Sequence, residues 1–192
     1  SGVYTMCGGN NNQVKATMPK FQIRGADDFS LIKEYDIYTD SVKMCDGITV
    51  RMVNTRAPHI VHKRDKAFFS QLYVPQINIL DLKSGKVDAI RIKGEKVETD
   101  IEKICHCYRN FDSNYKYIYA LYYDTVGADD DFFKNTLPPY IGVFDWQGRE
   151  VCRYTFKNDH IMTFAVTPDD KRCYCWVMNA DGEEYLGYFD LK

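Results

Sequence analysis
The chain has 192 residues, 45% hydrophobic and 27% charged, the balance of a folded globular protein. Its 25 basic and 27 acidic residues leave a formal charge of -2, so no net attraction draws it to nucleic acid or an anionic bilayer. No apolar run approaches the roughly 18 residues of a membrane helix, and 15 Tyr with 11 Phe in short runs beside β-branched residues favour strands throughout.

The chain opens at Ser1-Gly2 without a methionine, which suggests processing or a cloning scar, and Val3 to Cys7 has neither the charged start nor the apolar core of a signal peptide. Residues 17–57 read as a partial unit: FQIRGADDFSLIKEYDIY, from Phe21, gives two strands around a polar turn, and Ile48 to Val53 gives one more. Three fuller units follow, over residues 59–94, 103–157 and 160–192. In each, a strand ends in a polar turn, and Lys66, Lys116 or Lys171 opens a second, aromatic-rich or alternating strand. A third strand then ends in an apolar-Asp-apolar triplet: Leu80-Asp81-Leu82, Phe144-Asp145-Trp146 and Phe189-Asp190-Leu191. Two units turn at Gly85 or Gly148 into a fourth strand.

The lysines lie 50 and 55 residues apart and the aspartates 64 and 45, which fits a propeller-blade period of about 40 to 50 residues once the second unit carries an insertion. TVGADDDFFKNTLPP, from Thr125, is that insertion. A four-stranded sheet with an apolar face cannot bury that face alone, so such units stack. The expected fold is therefore all-β, a propeller of four-stranded antiparallel blades with about three and a half present. A β-sandwich also has short strands, but it does not predict the same Asp at the same place in each unit. Asp81, Gly85, Asp145, Gly148 and Asp190 read as structural turn residues, and Trp146 reads as packing between blades.

Candidate chemistry is sparse. His59 and His62, His106, and His160 fall near the innermost strands of three units, where side chains lining a channel could meet a ligand. Their offsets differ, so no metal site is expected, and no dinucleotide or Walker motif calls for a cofactor. In the insertion, Phe132 and Phe133 beside Asp129, Asp130 and Asp131 could make a partner contact at one rim; a solvated acidic loop with its phenylalanines tucked under is the bland alternative. The seven cysteines leave at least one unpaired, and the Cys105/Cys107 and Cys173/Cys175 spacing turns each pair to one sheet face as buried thiols. No Gly-x-Ser-x-Gly elbow is present, so no catalytic residue is assigned.

The run NYKYIYALYYD, the hairpin YIGVFDWQGREVCRYTF and the segment HIMTFAVTPDDKRCYCWVMNADGEEYLGYFDL resemble the C-terminal blades of TolB-like six-bladed propeller proteins of Bacteroides-type bacteria. The resemblance implies a partial six-bladed ring in an envelope-exposed protein, commonly lipid-anchored through an N-terminal segment. It carries no catalytic motif. The expected function is a non-enzymatic binding or scaffold propeller for a protein, peptide or glycan, with self-association as one way to complete the ring. The alternative is a propeller-type hydrolase or lyase with a metal or acidic site in its channel.

Overall fold
A computed structural model describes residues 2–7, 20–36, 61–63, 65–70, 76–91, 105–126, 137–157, 159–179 and 181–192. These form an all-β chain of four antiparallel meanders. The first sheet is β1 (Gly2–Cys7), β2 (Lys20–Gly25) and β3 (Leu31–Asp36). The second is β4 (Val61–Lys63), β5 (Lys66–Ser70), β6 (Gln76–Asp81) and β7 (Val87–Arg91). The third is β8 (Cys105–Ser113), β9 (Tyr117–Val126), β10 (Leu137–Asp145) and β11 (Glu150–Thr155), and the fourth β12 (His160–Val166), β13 (Arg172–Met178) and β14 (Glu184–Asp190). The β2–β3 hairpin lies where the sequence places two strands around a polar turn, and β1 joins it. Ile48 to Val53 lies outside the described residues.

Because side chains alternate across a strand, each sheet offers one face to the sheet before it and one to the sheet after. Phe21 and Tyr35 of the first sheet meet Ala67, Phe69, Leu80, Leu82 and Val87 of the second. Phe68, Ile77 and Ile79, on the other face of the second sheet, meet Ile118, Ala120, Tyr140, Phe144 and Trp146 of the third. Tyr119, Leu121, Ile141 and Val143 in turn meet Ile161, Phe164, Cys173 and Cys175 of the fourth. The three cores repeat one arrangement.

Strand register makes the equivalence explicit. Asp81 pairs with Lys66, Asp145 with Tyr117 and Asp190 with Arg172, so these three positions correspond. The residue after each aspartate, Leu82, Trp146 or Leu191, packs into the core shared with the preceding sheet. Two equivalent backbone bonds agree: Leu82 N donates to Asp65 O and Leu191 N to Lys171 O, each at 2.8 Å. The lysine alignment needs a correction: Lys116 and Lys171 correspond, but Lys66 is one residue out of step, matching Tyr117 and Arg172. A lysine at a strand start belongs to none of the shared cores, so no core packing fixes its position, whereas the aspartate's turn and its apolar neighbour's packing do.

Two of the aspartates hold turns. Asp81 Oδ1 accepts from Ser84 N at 2.8 Å and Lys83 N at 3.0 Å, and these bonds, Ser84's first, hold its carboxyl below the ordinary value. Asp145 Oδ1 accepts from Gln147 N and Arg149 N, both at 2.9 Å, and its Oδ2 pairs with Arg149 Nε at 2.7 Å. Burial opposes that charge, but the bonds from Arg149 and Gln147 outweigh it and lower the carboxyl's pKa. Gly85 and Gly148 adopt φ of 76° and 86°, where a side chain is strained. Asp190 differs from its two counterparts, binding Arg172 Nε across the strand pair at 3.0 Å.

Candidate functional site
The closest backbone approaches between sheets run along β8, which touches β4, β5 and β6 of the second sheet and β12 of the fourth. β8 therefore neighbours β4 and β12, the first strands of the units before and after its own. This line is where a chain of such sheets could present side chains to one ligand.

A cluster forms on it where the third and fourth sheets meet. Arg109 occupies an irregularity in the β8–β9 pairing between Tyr108 and Asn110, the kind of bulge that re-aims a side chain out of the strict alternation. Its guanidinium lies 5.4 Å from the ring centroid of Tyr123 on β9. The same ring sits 4.5 Å from the imidazole of His160 at the start of β12, tilted by 40°. The Tyr123 hydroxyl donates to Ile161 O, fixing the ring that both the Arg109 guanidinium and the His160 imidazole contact. Burial, and secondarily the charge of Arg109, lower the His160 pKa from 6.5 to about 4, so the imidazole is neutral at pH 7.

The sign of the resulting pH dependence follows. Between about 4 and 6.5 the unfolded chain binds a proton at His160 that the folded chain refuses, so stability falls as the pH drops through that window. Above 6.5 this contribution is fully present. Urea midpoints for the native protein should therefore drop more between pH 7 and pH 4.5 than those of His160→Gln. Parallel pH profiles for the two proteins would contradict the buried, neutral imidazole.

Of the other histidines, His62 lies on β4 opposite Ala67 and His106 on β8 opposite Thr125, so both belong to the same line of first strands. His59 lies outside the described residues, as do Asp129, Asp130, Asp131, Phe132 and Phe133. Among the described residues no group of three or more His, Cys, Asp or Glu could hold a metal ion. No protein-family model matches the chain. No curated protein sequence matches it either.

Sequence reasoning missed Arg109 and Tyr123, because a bulge position depends on strand pairing that the sequence does not display. It also missed a buried polar row between the first two sheets. Gln76 and Asn78 are buried and bonded to each other, and Arg91 Nε donates to Gln76 Oε1. The signal was visible as QINIL, an apolar run interrupted by amides where a core strand would carry aliphatics. Cys173 and Cys175 are free and buried on one face, their sulfurs 3.8 Å apart. The bond to Cys175, with burial, pushes the Cys173 thiol up, and the same bond lowers the Cys175 thiol against the opposing effect of burial.

Proposed function
We propose that the chain is a non-enzymatic binding scaffold of propeller type, its meanders serving as blades and its ligand, a peptide or glycan, recognised along the line of first strands. The observation that carries this reading is the adjacency of first strands across sheets, β8 with both β4 and β12. Sheets that meet along β8 and present opposite faces to their neighbours support reading them as blades about an axis. Arg109 and His160 put a guanidinium and an imidazole at that line, and the aromatic ring between them gives it a stacking surface. The envelope location and the likeness to TolB-like propellers belong to this proposal, supported by the blade-like segments from Cys105 to Lys192.

Amide-resolved NMR titration with peptidoglycan fragments and short envelope-derived peptides tests it. The expected shifts cluster on β8 and β12 and diminish in Arg109→Ala. Shifts confined to the last strands β7, β11 and β14, or turnover of either probe, would contradict the reading.

A further inference from the structure
The turn between β2 and β3 repeats the bonding of the turn after β6 with one residue exchanged. After β6, Gly85 N donates to Asp81 O at 2.7 Å and Asp81 N to Lys86 O at 2.9 Å. In the first sheet Phe29 N donates to Gly25 O at 3.2 Å and Gly25 N to Ser30 O at 2.8 Å, so Phe29 stands at the position of Gly85. Both residues have positive φ, 54° at Phe29 and 76° at Gly85. The other positive-φ residues among those described are Gly148, Gly182, Asp65 and Asp170, types that tolerate the left-handed region. Phenylalanine resists it, because its Cβ crowds the following carbonyl oxygen.

Local bonds hold the strained residue in place. Arg24 Nη1 donates to Phe29 O at 2.9 Å, and Asp28 Oδ1 accepts from Ser30 N at 3.0 Å. Gly25 serves this arrangement, since a Cβ there would lie 2.5 Å from Asp28 Oδ1. The glycine of this turn makes room for a carboxylate, and the left-handed position goes to an aromatic. None of the three shared cores contains Phe29, which is 60% exposed. Leu31 and Ile32, just beyond it, are exposed by 51% and 59%. A large apolar side chain held in water, in a backbone conformation it resists, points to a contact made outside the chain.

Charge on the hairpin selects the kind of partner. Its cations are turned back on their own chain: Lys20 Nζ bonds Glu34 Oε1 at 2.7 Å, Arg24 binds Phe29 O and Gln22 Oε1, and Lys33 Nζ donates to Leu82 O at 2.9 Å. Asp27 and Asp28 stand exposed beside Phe29. The bonds from Ser30 hold the Asp28 carboxyl below its ordinary value, so it is charged at neutral pH. Two carboxylates beside an apolar tip repel an anionic bilayer and complement a polypeptide that carries Lys or Arg next to apolar side chains.

We infer that the β2–β3 turn docks a basic polypeptide segment, with Phe29, Leu31 and Ile32 meeting its apolar side chains and Asp27 and Asp28 its cations. The surface lies on the first sheet and not at β8 and β12, so the inference stands whether or not a ligand binds along the first strands.

Two measurements test it. Phe29→Gly should keep the urea midpoint or raise it, because glycine adopts the same φ without strain. A lower midpoint would show that Phe29 serves the fold and would overturn the inference. Selection of a phage-displayed random peptide library on the wild-type protein, counter-selected on Phe29→Gly, supplies the probe. Enriched peptides should pair apolar residues with Lys or Arg, and a synthetic copy should shift the amide resonances of residues 25–32. Its affinity should drop about tenfold or more in Phe29→Gly and in the Asp27→Asn, Asp28→Asn double variant. No enrichment over the counter-selection, enriched peptides without basic residues, or shifts confined to β8 and β12 overturns the inference. So does wild-type binding to phosphatidylglycerol vesicles that Phe29→Gly loses, which would make the turn a membrane contact.

Discussion

Trp146→Ala should lower stability by about 3–5 kcal/mol, on the order of 10 °C in the thermal midpoint for a chain of this size. Trp146 follows Asp145 at the hairpin turn of the third sheet and is buried against the second. Its indole meets the Phe68 ring edge to face at 5.5 Å and an interplanar angle of 90°, a favoured aromatic geometry. Truncation removes most of that contact and leaves a void between two sheets whose backbones are each fixed by their own ladders, so the site cannot collapse to fill it. Trp146→Phe separates packing from polarity. The indole Nε1 is buried with no hydrogen-bond partner, so phenylalanine gives up ring area but also removes a donor that is costly to bury. Its loss should be less than half that of alanine. Thermal denaturation of both variants checks this, and equal losses would show that the indole is not held between the sheets as described.

Gly148→Ala comes next in expected effect, and Gly182→Ala is its control. Both glycines have positive φ, 86° and 80°, so alanine at either incurs left-handed strain of about 1–2 kcal/mol. At Gly148 a Cβ would also lie 2.7 Å from the Cδ1 atoms of Ile79 and Ile90 on the preceding sheet, whereas at Gly182 nothing lies within 4 Å. Those isoleucine ends must shift within a packed interface, adding about 1 kcal/mol or more. Gly148→Ala should therefore lose about twice the stability of Gly182→Ala. The difference between the two losses reports sheet-to-sheet packing, because the strain common to both cancels.

These two sites also mark where sequence was legible. The apolar-Asp-apolar triplets were visible because two physical demands coincide there. Asp81 and Asp145 satisfy turn amides, and the apolar residue after each Asp anchors its sheet to the one before it. The lysines looked as periodic but carry neither demand, and Lys66 slipped by one. Strand β1 escaped because its partner β2 lies beyond an intervening segment, with no tight-turn signature to announce the pairing. The candidate site was legible only in part. His160 drew notice as a residue type, but the ring and guanidinium beside it come from β9 and β8 and are brought there by pairing register and a bulge. The left-handed Phe29 was hidden for the opposite reason. GADDFS reads as an ordinary polar turn, and only comparison with the bonding of the Gly85 turn shows that a phenylalanine stands at a glycine position.

The central claim is that each sheet packs on its neighbours in sequence through register-equivalent faces. Nuclear Overhauser contacts in protein with selectively labelled aromatic residues test it most directly. The expected pattern is a contact between the Phe68 ring and the Trp146 indole, and another between the Tyr123 and His160 rings. Contacts from Phe68 to Phe164 or Phe189 of the fourth sheet, with none to Trp146, would contradict it.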